Sequence, residues 1–178
     1  ISWLIEAQGF IYFYRTTDAG ADLWRTDGVS VTLIHSFDLS CGSKDIIAGL
    51  PGTTLLIQGD QAHGCELWRL DATGTEASLV KDMNPGVGSS DSYNGRAYMG
   101  RYYFSADDGV HGRELWVTDG TSAGTYLLSD SQPGAIDGYA EEMVGRGGNV
   151  YFVAYDAAGL YGHVWVTDGV TPGQAHVV

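Results

Sequence analysis

Arg113-Glu114-Leu115-Trp116-Val117-Thr118-Asp119-Gly120-Thr121-Ser122-Ala123-Gly124 is the clearest of four imperfect copies of one motif. The others are Asp22-Leu23-Trp24-Arg25-Thr26-Asp27-Gly28, Glu66-Leu67-Trp68-Arg69-Leu70-Asp71 and His163-Val164-Trp165-Val166-Thr167-Asp168-Gly169. Successive motif tryptophans lie 44, 48 and 49 residues apart, a spacing at which one small sheet per repeat builds a radial array. Each copy places aromatic and aliphatic residues before an Asp-Gly or Asp-Ala step, then a second run such as Thr125-Tyr126-Leu127-Leu128, which reads as strand, turn and strand. Trp24, Trp68, Trp116 and Trp165 are expected on buried sheet faces, each indole N–H meeting a backbone carbonyl. Asp27, Asp71, Asp119 and Asp168 are expected to accept amides of their own turns, with the following glycine at positive φ.

Working outward, each repeat holds four strands in up-and-down order. In the first they fall at residues 2–7, 10–14, 22–26 and 31–36; the later repeats follow the same order. The repeats occupy approximately residues 1–40, 41–88, 89–136 and 137–178 of a single domain. Connectors echo one another through Asn84-Pro85-Gly86 and Gln132-Pro133-Gly134, and no 3.6-residue periodicity marks a helix. A lone four-stranded sheet cannot bury both apolar faces, whereas sheets stacked about an axis can. The fold expected is an all-β propeller of four four-stranded antiparallel blades. It forms either a closed ring or a four-blade arc of a larger or dimer-completed propeller, and the period disfavours a β-sandwich.

A hydrophobic content of 44% with 17% charged residues describes a folded chain rather than a disordered one. The formal charge of −13 opposes phosphate backbones and anionic lipid, which sets nucleic acid aside as a partner. No run of 18 apolar residues marks a membrane span, and the chain reads as a mature product or an excised domain. Cys41 and Cys65 are the only cysteines. They form one disulfide in an oxidising compartment or stay as two thiols, and neither sits in a zinc-type cluster.

With these anchors in place, the sequence resembles the ELWxxDGT repeat family of bacterial, largely secreted or surface-associated β-propeller-like proteins. The third repeat carries the likeness best, through Ala106-Asp107-Asp108-Gly109, Gly112, Glu114-Leu115-Trp116, Asp119-Gly120-Thr121 and Gly124-Thr125. The second repeat has Ala72-Thr73-Gly74-Thr75 after its aspartate, and Asp22 and His163 replace the glutamate in the outer repeats. The resemblance implies the fold and an extracellular or cell-surface location, and supplies no catalytic residues.

Asp18, Asp60, Asp107 with Asp108, and Asp156 each end a second strand before a glycine-containing turn. Carboxylates and turn carbonyls are hard oxygen donors, so Asp107 and Asp108 are candidate calcium ligands, the competing reading being an Asx turn. His63 and His111 share a repeat position, but Ala19 and Tyr161 stand there elsewhere, which excludes a ring of imidazoles. Glu141-Glu142 is the one adjacent glutamate pair. Neighbours on a strand face opposite ways, a poor couple for glycoside hydrolysis. Tyr93, Tyr139 and Tyr161 remain as candidate stacking surfaces for sugar rings. The reading is a non-catalytic binding module for a glycan or protein, able to self-associate to complete a ring. The alternatives are a carbohydrate-active hydrolase and a structural segment of a large surface protein.

Overall fold

The computed structural model describes residues 2–39, 41, 46–50, 52–156 and 162–178, without side-chain detail for residues 2–3 and 46–49. It is all-β, with no helix among the described residues. The strands are β1 (Ser2–Ala7), β2 (Phe10–Thr16), β3 (Ala21–Thr26), β4 (Val31–Phe37), β5 (Ile46–Leu50), β6 (Thr53–Asp60), β7 (Gly64–Leu70) and β8 (Ala77–Lys81). There follow β9 (Tyr93–Tyr98), β10 (Arg101–Asp107), β11 (Arg113–Thr118), β12 (Tyr126–Ser129), β13 (Glu141–Arg146), β14 (Asn149–Tyr155), β15 (Gly162–Thr167) and β16 (His176–Val177). They form four four-stranded sheets, β1–β4, β5–β8, β9–β12 and β13–β16, each in sequence order and each antiparallel wherever strands pair. The chain divides into two compact units, Ile1–Ser89 and Ser90–Val178, of two sheets each.

The motif register repeats. Each tryptophan sits across from the central aromatic or leucine of the preceding strand: Phe13 opposite Trp24, Leu56 opposite Trp68, Phe104 opposite Trp116 and Phe152 opposite Trp165. The side chains on either side of these residues point to the opposite face, as the two-residue strand period requires. Each sheet therefore has a tryptophan face and a reverse face.

In the first unit, the tryptophan face of the second sheet packs on the reverse face of the first. Trp68 and Leu56 share a core with Tyr12, Tyr14, Leu23 and Phe37. Trp68 meets Phe37 edge-on at 5.2 Å and His35 at 5.5 Å, and burial holds the His35 imidazole below its ordinary pKa. The second unit repeats the scheme. Phe152 and Trp165 of the fourth sheet join Tyr103, Leu115, Val117 and Leu128 of the third.

A tyrosine marks both seams. The Tyr12 hydroxyl reaches the Gly74 carbonyl at 3.5 Å, and the Tyr103 hydroxyl reaches the Gly169 carbonyl at 3.2 Å. Both glycines belong to the turn that follows the tryptophan strand of the next sheet. The Arg25 guanidinium adds bonds to the Thr73 and Gly74 carbonyls, and the Tyr126 hydroxyl adds one to Val170.

The turn aspartates behave as the motif predicts. Asp27 accepts the amides of Val29 and Ser30, Asp119 that of Thr121, and Asp168 those of Val170 and Thr171. Asp71 accepts from Thr75 and Glu76. Gly28, Gly120 and Gly169 follow at φ of 91°, 90° and 76°; in the second repeat the left-handed residue is displaced to Gly74. The indole expectation needs correcting. Trp165 donates to the carbonyl of Ala154 at 3.2 Å, while the buried N–H groups of Trp24 and Trp68 find no partner among the described residues. Trp68 is held instead through its ring contacts with Phe37 and His35.

Cys41, in the connector before β5, and Cys65, near the start of β7, are disulfide-bonded with Cα atoms 5.8 Å apart. The bridge ties the connector to the second sheet.

Candidate functional site

In the second unit the connector from β12 to β13 is held down from below by a buried carboxylate. Glu114, on β11, has no solvent exposure, and its oxygens accept the Ser131 amide at 2.9 Å, the Ser131 hydroxyl at 2.8 Å and the Gln132 amide at 3.1 Å. Burial outweighs these bonds and pushes the carboxyl up to about 7. Gly138 lies flush against the same group: a methyl built on it would run into Ser131 Oγ and the Glu114 oxygens. The second repeat has the same clamp. There Glu66, also fully buried, accepts the amides of Met83 and Asn84 at 3.2 Å each. The glutamate of the motif is thus a connector anchor. The outer repeats, with Asp22 and His163, make other contacts: Asp22 accepts the Ser36 hydroxyl at 2.7 Å, and His163 lies 3.5 Å from Asp156.

Arg113, one residue before the clamp, fixes the end of the same connector through its backbone. Its amide donates to Asp137 at 2.9 Å, its carbonyl accepts the Tyr139 amide at 3.0 Å, and the Tyr155 amide donates to Gly138 at 2.8 Å. The connector is stitched to β11 on one side and to the end of β14 on the other. Tyr139 is held at a left-handed φ of 51°, and its ring stands 44% exposed beside Tyr155, edge-on at 6.2 Å. The neighbouring Asp137 carboxylate raises the Tyr139 hydroxyl above its ordinary pKa.

These residues line a groove of about 690 Å³ whose walls include Gln132, Ile136, Asp137, Tyr139, Glu141 and Tyr155. Glu141 closes one side, its Oε1 accepting the Tyr93 hydroxyl at 3.3 Å and the Asn94 side-chain Nδ2 at 3.4 Å. The Arg113 guanidinium lies over the Tyr93 ring at 4.9 Å and donates to the Asp91 carbonyl. Tyr93 and Tyr139 are therefore brought to one place. Tyr161 lies outside the described residues. Ile136, Asp137, Glu141 and Tyr155 complete the site, and sequence reasoning did not assign them to it. The signal for it was the Gln132-Pro133-Gly134 echo, which marks a connector of fixed shape.

The candidate calcium ligands bond to amides of their own turns. Asp107 accepts the Gly109 amide at 2.7 Å, and Asp108 accepts the amides of Val110 and His111 while pairing with the His111 ring at 2.7 Å. That pairing raises the His111 pKa, and Asp60 does the same to His63 in the second repeat at 2.9 Å. Among the described residues no three His, Cys, Asp or Glu side chains are grouped to hold a metal ion. Glu142 is exposed at φ 55° within a bulge that separates it from the regular register of β13, while Glu141 faces the groove.

No protein-family model and no curated protein sequence matches the chain. Among solved structures it is similar to TolB from Acinetobacter baumannii, at 12% identity and a TM-score of 0.53, over 95% of this chain and 40% of that one. It is also similar to the computationally designed protein Ika8, at 14% identity and a TM-score of 0.51, over 97% and 48% of the two chains. A TolB-type structure from Agrobacterium tumefaciens gives 12% and 0.52, over 95% and 60%. The chain thus spans between two fifths and three fifths of these proteins. The likeness is one of fold, of the β-propeller type.

Proposed function

We propose that the chain is a non-catalytic binding module that holds a neutral glycan in the groove between Tyr139 and Glu141. The carrying observation is the placement of two solvent-facing tyrosine rings, Tyr139 and Tyr155, beside carboxylates and amides on a connector fixed at both ends. Aromatic faces cover the apolar face of a sugar, and Asp137, Glu141 and Gln132 offer acceptors and donors to its hydroxyls. The chain's charge of −13 disfavours an anionic ligand. Glu141 and Asp137 already accept bonds from Tyr93, Asn94 and Arg113, which suits fixed acceptors better than groups that exchange protons with a substrate. The disulfide supports an exported, extracellular or cell-surface protein, as does the resemblance to the ELWxxDGT repeat proteins.

The test is a glycan array followed by titration calorimetry on any hit, with wild type and Tyr139→Asp compared. The expected result is binding of a neutral glycan by the wild type and at least a tenfold loss in the variant, with unchanged circular dichroism. Silence across the array, equal affinity in the variant, or turnover of chromogenic glycosides by the wild type would each overturn the proposal.

A further inference from the structure

The two seams inside the units obey one rule, and two exposed sheet faces fit it. In each unit a tryptophan face packs on the reverse face of the preceding sheet, and a tyrosine from that reverse face reaches the turn after the tryptophan strand. The first sheet presents its own tryptophan face as the cross-strand row Leu4, Phe13, Trp24 and Leu33. Leu4 is 72% and Leu33 45% exposed, and Phe13 and Trp24 are half-buried, whereas their counterparts Leu56 and Trp68 in the second sheet are buried. The fourth sheet presents its reverse face as Val144, Tyr151, Val166 and His176, with Val164 alongside. Val164 is 50% exposed and Val166 half-buried, although Leu115 and Val117, at the same positions in the third sheet, have no exposure at all.

The tyrosine is repeated as well. Tyr12, Tyr103 and Tyr151 each stand opposite the residue after the motif tryptophan: Arg25, Val117 and Val166. Tyr12 and Tyr103 fill the space over Gly74 and Gly169, yet Tyr151 lines an open groove, and Gly28 has no atom within 4 Å of where a side chain would stand. One chain therefore carries both halves of an interface that its units already form twice.

We infer that the Trp24 face of one copy docks on the Tyr151 face of a second copy, with the Tyr151 hydroxyl donating to a carbonyl of the partner's Gly28 turn. The contact is head-to-tail, because the two faces differ. A ligand of other chemistry is disfavoured, since both patches are sheet faces whose buried counterparts are covered by sheets of the same repeat.

The experiment is multi-angle light scattering and sedimentation on the 178-residue chain over the micromolar range. Wild type is expected at twice or more the 19.0 kDa of one chain. Leu33→Glu and Val164→Glu, both at exposed positions, should each run as folded monomers. Their equimolar mixture should regain a two-chain species, because one intact face remains on each. Tyr151→Phe should weaken association several-fold without abolishing it. A monomeric wild type would overturn the inference. So would a Val164→Glu variant that associates as wild type does, which would mean that like faces pair.

Discussion

Replacing Glu114 by glutamine separates the geometry of the connector clamp from its charge. The carboxyl ionises at about 7 in the folded chain against an ordinary value of 4.5, because burial disfavours the anion more than three hydrogen bonds favour it. Below pH 4.5 the group is protonated whether the chain is folded or not, and it costs nothing. Between 4.5 and 7 the unfolded chain sheds this proton while the folded chain keeps it, so stability falls as pH rises. Above 7 the full cost stands, about 3 kcal/mol for a separation of that size. Glutamine is neutral throughout and keeps an oxygen for the Ser131 or Gln132 amide. Urea unfolding followed by tryptophan fluorescence, at intervals from pH 4.5 to 8, should show Glu114→Gln gaining on wild type by about 3 kcal/mol across the window. Taking the difference cancels the other acids of this acidic chain. Glu114→Ala should instead lose stability at every pH, since it leaves two buried amides without an acceptor. A glutamine-minus-wild-type difference that is flat in pH, or that falls, would refute the account of a strained buried carboxylate.

Two further outcomes follow from the first unit. Reducing the Cys41–Cys65 bridge, or replacing both cysteines by serine, frees a loop of 24-residue separation and should cost about 3 kcal/mol, read as a lowered thermal midpoint. Asp71→Ala removes the acceptor for the Thr75 and Glu76 amides and should cost about 1–2 kcal/mol at neutral pH. The Thr73 hydroxyl, aided by those amides, holds Asp71 far below the carboxylate range. Its contribution is therefore present above the ordinary value of 3.8 and fades only as pH falls below it, so chemical denaturation at acid pH should bring variant and wild type together.

The elements that repeat were legible in the sequence, because periodic tryptophans and Asp-Gly steps report strand spacing and turn geometry through local chemistry. The disulfide was open between two states: spacing alone does not reveal that the connector carrying Cys41 returns to the start of β7. Glu66 and Glu114 were legible as motif positions but not as to role, because only the fold shows that their partners are amides 17 and 18 residues downstream. The groove was half-legible. Tyr93 and Tyr139 stood out as aromatics in connectors, but their meeting at Glu141 depends on the first strands of two adjacent sheets lying side by side, which no local pattern encodes.

The repeat also explains why the groove can sit on a structural unit without weakening it. Asp91 and Tyr139 lie 48 residues apart, as do Asn94 and Glu142, and all four adopt left-handed backbone, at φ of 45°, 51°, 51° and 55°. The backbone conformation at these positions thus recurs with the repeat, whatever side chain it carries. At position 91 the side chain is a carboxylate 3.8 Å from the Arg113 guanidinium, whereas at 139 it is an aromatic ring facing a groove. Asp tolerates left-handed φ better than Tyr does, so Tyr139→Asp should leave the unfolding free energy unchanged within about 0.5 kcal/mol while removing the stacking surface. A large loss of stability in that variant would show that the ring is part of the core of the fourth sheet. The groove would then owe its shape to packing rather than to a connector clamped from below by Glu114.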